Sequence, residues 1–235
     1  MAEAVSTPLS YWEARKNFLY YQVVRIIATG VASDAKSVLD VGSSGCPYLD
    51  WFPGAAHRTS LDLRKPYVAE GIASVTTNYL HWDVDRQYDL VLCLQVLEHV
   101  RDAGVFAQKL LASGKIVVAS VPYKWSEGSV SSHVHDPVDE AKMRAWFGRE
   151  PNYSHICTEV NSGARRLICV YDAMPQKWRS LKQRDILLGK PQPEPRPKTA
   201  KQLAALENKR RNRKKAPVSL MRRAKNLAKR ILGRV

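Results

Sequence analysis

Short, unbroken apolar runs alternate along this chain with stretches whose apolar positions recur three and four residues apart. Ser37–Val41, Tyr88–Leu94 (YDLVLCL) and Lys115–Val121 (KIVVASV) are the clearest runs. Their length and β-branched content predict strands buried on both faces, as in a parallel sheet. His57–Leu63, Ala73–Asn78 and Arg165–Tyr171 read as further strands. Helical spacing predicts a helix over Tyr11–Thr29, with Phe18, Val23, Val24 and Ile27 on one face and Gly30 as its stop. It predicts a second helix beginning at Tyr48–Phe52, a third over Ala103–Leu111, and a fourth over Pro137–Phe147 with Asp136 as its cap. Strands alternating with helices imply an α/β fold with a mostly parallel sheet and helices on both faces.

Charge divides the chain more sharply than hydropathy does. Residues 1–175 carry 17 Lys+Arg against 19 Asp+Glu, whereas residues 176–235 carry 20 against 3. The net charge of +15 thus resides in the last quarter. We read 1–175 as a catalytic body, 176–197 as a linker containing KPQPEPRP, and 198–235 as a basic, partly amphipathic helical tail. Within the tail, 218–235 places Leu220, Ala224, Leu227, Ile231 and Leu232 on one helical face and Lys and Arg around the rest. That pattern suits an anionic membrane surface. The cluster at 209–215, within 198–215, would equally attract the phosphates of a nucleic acid, although the tail offers no aromatic ring for stacking bases. No run of 18 apolar residues is present, and Met1–Pro8 does not resemble a secretory leader. Cys46, Cys93, Cys157 and Cys169 lack C-x-x-C spacing, which argues against a zinc site and for a reduced, cytoplasmic setting, with attachment at the membrane periphery through the tail.

The chemistry concentrates where runs end. Val38-Leu39-Asp40-Val41-Gly42-Ser43-Ser44-Gly45 is a strand entering a turn in which Gly42 and Gly45 permit close approach of backbone to a ligand. Asp62 follows Gly42 by 20 residues, at the end of the second strand, where an acid can accept both hydroxyls of a ribose.

With Tyr88-Asp89-Leu90-Val91-Leu92-Cys93-Leu94-Gln95-Val96-Leu97-Glu98-His99-Val100, and a later strand ending in Val121-Pro122-Tyr123, the order of segments resembles class I S-adenosylmethionine-dependent methyltransferases, particularly their small-molecule and glycan branch. The resemblance covers 11–171. It implies a Rossmann-like sheet of seven strands with the last antiparallel, and S-adenosyl-L-methionine at the carboxyl ends of the first strands. It places Asp40, Gly42, Ser43 and Gly45 at the methionine end, Asp62 on the ribose, Asn78 with Tyr79 and Leu80 at the adenine edge, and Gln95 beside the sulfonium. The chain departs from the family at Ser44 and Cys46, which stand where two glycines are usual, and at Asn78, where Asp is frequent and where Asp83 is an alternative.

Methyl transfer from a sulfonium is mainly a matter of alignment, but a hydroxyl acceptor also needs a base near neutral pH. Ser132-His133-Val134-His135-Asp136, after the Val-Pro-Tyr strand end, offers His133 or His135 as that base and Asp136 to orient it, with Glu98 and His99 at the neighbouring strand end. Spacing gives these residues no helical metal-binding pattern, so no metal is expected. Trp125, Trp146 and Tyr123 could stack on a ring or simply pack. The expected acceptor is a small molecule or glycan, possible at the membrane face. Competing readings are an RNA methyltransferase anchored by its tail, a catalytically inactive binding module and, more remotely, a nicotinamide dehydrogenase.

Overall fold

The computed structural model describes residues 10–173 of the 235-residue chain. A seven-stranded sheet forms the centre: β1 (Ser37–Val41), β2 (His57–Asp62), β3 (Ala73–Thr76), β4 (Tyr88–Leu94), β5 (Gly114–Pro122), β6 (Tyr153–Thr158) and β7 (Arg165–Asp172). Their spatial order is β3-β2-β1-β4-β5-β7-β6. All neighbours from β3 to β5 pair in parallel, and β7 runs antiparallel to both β5 and β6. Every residue of β1 is buried, as are all but one of β4. This is why these strands read as continuous apolar runs.

Helices cover both faces. α1 (Leu19–Val31) lays Tyr20, Tyr21, Val24 and Ile27 against Val38, Leu90 and Leu92. On the opposite face α2 (Ala103–Ser113) and α3 (Glu140–Phe147) bring Phe106, Leu110, Met143 and Phe147 onto Leu39, Val91 and Val117. Each such fully buried side chain contributes roughly 1.5–3 kcal/mol relative to exposure. The strand order reverses between β1 and β4, and that reversal opens a crevice at the carboxyl ends of the strands.

Several boundaries differ from the sequence reading for identifiable reasons. The first helix begins at Leu19; Tyr11–Asn17 forms turns instead. Its start is set from across the fold, because both carboxylate oxygens of Glu159 accept the free N–H groups of Leu19 and Tyr20, at 2.9 Å each. Phe18 is consequently outside the helix and exposed, Val23 is only half-buried against the core, and Gly30 lies inside the helix as a buried residue rather than at its stop. Tyr48–Trp51 makes one 3₁₀ turn, not a helix, since Pro53 follows at once. α3 is capped by Asp139, whose Oδ1 accepts from Lys142 N at 2.9 Å, and not by Asp136. The edge strand β6 escaped the pattern because its exposed and half-buried positions include Ser154 and His155. The reading of 176–197 as linker and 198–235 as helical tail lies outside the described residues.

Candidate active site

The crevice is a cavity of about 610 Å³, within the size range of small-molecule sites. Four strand ends build it. After β1 come Gly42, Ser43, Ser44 and Cys46; at the end of β2, Asp62, followed by Leu63 and Arg64; after β3, Thr77, Asn78, Tyr79 and Leu80; after β4, Gln95, Val96, His99 and Val100. Tyr11, Asp102 and Phe106 complete the wall.

The turn after β1 is left-handed at three of four residues: φ is +80° at Gly42, 49° at Ser44 and +74° at Gly45. A Cβ on Gly42 would lie 2.5 Å from Val96 Cγ2, so the β1 and β4 ends meet too closely for any side chain there. Asp62 braces this turn. Its Oδ2 accepts from Ser44 N at 2.9 Å, and its Oδ1 accepts from Arg64 N and Lys65 N at 2.8 Å. A carboxylate has about four lone-pair sites, so one stays available for a further donor such as a ribose hydroxyl. The Ser43 hydroxyl is engaged inward, receiving Ser60 Oγ and Tyr67 N. Cys46, buried in the wall, has its thiol pushed up to about 11 mainly by burial, which removes thiolate chemistry near neutral pH.

The remaining cofactor candidates occupy distinct stations. Asp40 does not line the cavity; it is buried beneath the turn, with neither carboxylate oxygen hydrogen-bonded. Burial first, and the charge of Asp62 second, hold its carboxyl well above the usual carboxylate range. Asn78 Oδ1 accepts from Leu80 N at 3.0 Å, which shapes the segment after β3. Tyr79 directs its hydroxyl to Ser113 and packs its ring on Phe106, so it meets the cavity as part of the core. Gln95 has φ 59° and sits between Ser120, to which Nε2 donates, and Arg166, from which Oε1 accepts. Arg166 of β7 also pairs with Glu159 at 3.4 Å. Residues 71 apart in sequence thus share one network, a link no local spacing could reveal.

Beside the β4 end a second group assembles. Of the four acid–base candidates, His99 alone lies on the cavity wall. Its Nδ1 must donate to the Ser132 carbonyl at 2.9 Å, because a carbonyl only accepts, which leaves Nε2 with a lone pair. His133 stands edge-on to His99, ring centroids 4.7 Å apart, and its Nδ1 bonds Asp136 Oδ2 at 2.6 Å. Both side chains of that pair are nearly buried, at 5% and 2% exposure. Glu98, 1% exposed, has one oxygen 4.0 Å from His99 Nε2 and the other without a partner. Its carboxyl is pushed up to about 8 by burial above all, opposed by a backbone hydrogen bond and reinforced by Asp136. His135 diverges: its Nε2 donates to Val100 O at 2.7 Å and its ring packs on Trp146. The structure therefore unites His99, His133 and Asp136 and leaves His135 outside the group. Trp125 stacks on His133, whereas Tyr123 donates its hydroxyl to Glu140.

The fold is Rossmann-like, with a crevice at its topological switch point. No model of a protein family matches the chain, and no curated protein matches it. Solved structures do. The N-methyltransferase NodS from Bradyrhizobium japonicum WM9, in complex with S-adenosyl-L-homocysteine, is similar over 69% of this chain and 88% of its own, at 12% identity and TM-score 0.52. The 1,6-didemethyltoxoflavin-N1-methyltransferase of Burkholderia thailandensis, with 1,6-didemethyltoxoflavin and S-adenosylhomocysteine bound, is similar over 72% of this chain and 92% of its own, at 18% identity and TM-score 0.51.

Proposed function

We propose that the chain is an S-adenosylmethionine-dependent methyltransferase that methylates an oxygen of a small molecule or saccharide. One observation carries this reading: the cavity at the reversal of strand order joins a left-handed glycine turn to an acid, Asp62, that retains acceptor capacity. The residues present suit the cofactor. Asp62 would hold the ribose, the backbone at Gly42–Gly45 and Gln95 would flank the methionine end, and the segment from Thr77 to Leu80 would meet the adenine. When bound, S-adenosylmethionine supplies a methyl group already activated by its sulfonium, so the protein's task is to align an acceptor and exclude water. The polar group around His99 supports an acceptor hydroxyl bound beside it, with its proton leaving there. The near-neutral composition of residues 1–175 favours an acceptor that is not a long polyanion.

The basic, apolar-striped segment 218–235 supports docking to an anionic membrane, and so an acceptor presented there, such as a lipid-linked saccharide. Sedimentation with vesicles containing phosphatidylglycerol, but not with phosphatidylcholine alone, is expected; equal behaviour of the full chain and a chain ending at 217 would refute the docking. The cofactor reading is tested by calorimetric titration of the full chain with S-adenosylhomocysteine. Micromolar binding, weakened tenfold or more by Asp62→Asn in a folded protein, is expected. A folded wild-type chain that binds none would leave an inactive, methyltransferase-like binding module as the better account.

A further inference from the structure

The group beside His99 has more order than a proton acceptor requires. One ligand-type atom from each of Glu98, His99 and His133 lies within 4.8 Å of the others. In both imidazoles Nδ1 is already committed, to the Ser132 carbonyl in one and to Asp136 in the other. Nε2 is therefore the free donor nitrogen on each ring. Fixing one ring nitrogen by a carbonyl or carboxylate, so that the other presents its lone pair, is how proteins orient metal-ligating histidines. The second observation is independent of the imidazoles: Glu98, buried at 1% exposure, has an oxygen with no hydrogen-bond partner, and so has Asp136 behind His133. Buried carboxylate oxygens are rarely left unpaired. Two carboxylates with such an oxygen, one beside His99 and one bonded to His133, describe a place short of positive charge.

We propose that Glu98, His99 and His133 form a binding site for a divalent first-row transition ion, oriented by Asp136 and the Ser132 carbonyl and opening onto the cavity at His99. Two imidazoles and one carboxylate suit manganese, iron, cobalt or zinc better than magnesium or calcium, which favour all-oxygen sets. Ligand atoms around such an ion, with bonds of about 2.1 Å, stand roughly 3–3.4 Å apart. The 4.0 Å between Glu98 and His99 therefore closes by a small side-chain rotation. Three protein ligands leave positions open for an oxygen of the acceptor. In that state His99 is a ligand rather than a base, and the ion's charge eases loss of the hydroxyl proton to water. Only this catalytic role rests on the methyltransferase reading; the ion site stands without it.

The test uses the full chain, freed of metal by a chelator and dialysed. Titration with cobalt(II), followed by its visible absorption, and with manganese(II) and zinc(II) by calorimetry, is expected to show one equivalent bound. His99→Gln and His133→Ala should each weaken it at least a hundredfold, and Asp136→Asn by about 10–100-fold. His99 is partly exposed, so His99→Gln keeps the test sound even where the buried substitutions fail to fold. The other four histidines, at 57, 81, 135 and 155, serve as controls, with His81→Gln expected to leave binding unchanged. S-adenosylhomocysteine affinity is measured on the same variants and should hold, which separates failure of the ion site from failure of the cofactor site. A folded, metal-free chain that binds none of the three ions, or binds them equally in wild type and His99→Gln, overturns the proposal.

Discussion

Replacing Gly42 by alanine tests directly how the site is built. Two penalties are superimposed at this residue. At φ +80° an L-residue with a Cβ costs about 1–2 kcal/mol over glycine. The added Cβ would also sit 2.5 Å from Val96 Cγ2 and 3.2 Å from Cγ1, so the β4 end must give way, an overpacking cost of about 1–3 kcal/mol. Together Gly42→Ala should lose about 2–5 kcal/mol, a large part of the ~5–15 kcal/mol that stabilises a typical domain. The two penalties separate in a double-mutant cycle. Val96→Ala removes the obstructing methyl groups and leaves the backbone penalty in place. The double variant should then be more stable than the sum of the single losses by about 1–3 kcal/mol. Urea unfolding followed by circular dichroism gives the four free energies, with unchanged m-values showing that the denatured state is comparable. Additivity within 0.5 kcal/mol, or a Gly42→Ala chain as stable as wild type, would show that Val96 does not press on the turn and would refute the close approach of the β1 and β4 ends.

Further outcomes follow from particular groups. Glu159→Ala removes the acceptor for Leu19 N and Tyr20 N and the partner of Arg166, and should cost about 1–3 kcal/mol in thermal unfolding, with Glu159→Gln recovering part of it; a neutral Glu159→Ala would mean that α1 is not held by this carboxylate. Asp40 binds its proton more tightly folded than unfolded, so the stability it contributes is full in acid and falls as pH rises past the ordinary carboxylate range. Asp40→Asn should accordingly gain on wild type as pH rises above the ordinary carboxylate range in the ligand-free protein; a growing deficit would show that the carboxylate has a partner. Since the Cys46 thiol is held near 11, native protein at pH 8 should resist alkylation at Cys46 while urea-unfolded protein reacts readily, and rapid native labelling there, read by mass spectrometry, would contradict the burial.

How far the sequence could be read depended on what shaped each segment. β1 and β4 were placed to the residue because burial on both faces leaves mostly apolar runs bounded by polar turns. β6 was invisible because an edge strand needs only one buried face, and here even that is partial. The helix boundaries that moved have different causes: at Leu19 the deciding carboxylate, Glu159, lies 140 residues away, whereas at Glu140 the cap passes to Asp139 while the neighbouring Asp136 is engaged by His133.

The same division runs through the site. Gly42, Gly45 and Asp62 were legible because much of the constraint on each is local: left-handed backbone at the glycines, and at Asp62 the N–H groups of Arg64 and Lys65 two and three residues on. The group beside the β4 end was legible only as ingredients. Its residues stand at 98, 99, 133 and 136, and the spacing offered neither a helical repeat nor a paired-cysteine pattern, so linear reasoning gave no metal. What organises them is the tie of Val134 N to the Glu98 carbonyl, which pins the loop after β5 across the end of β4 and brings two imidazoles edge to edge. The strand order makes that tie possible, because β4 and β5 are parallel neighbours whose carboxyl ends open on the same side. His133 and His135 illustrate the consequence: two residues apart on one loop, one turns toward His99 and the other toward Trp146, and only the fold distinguishes them.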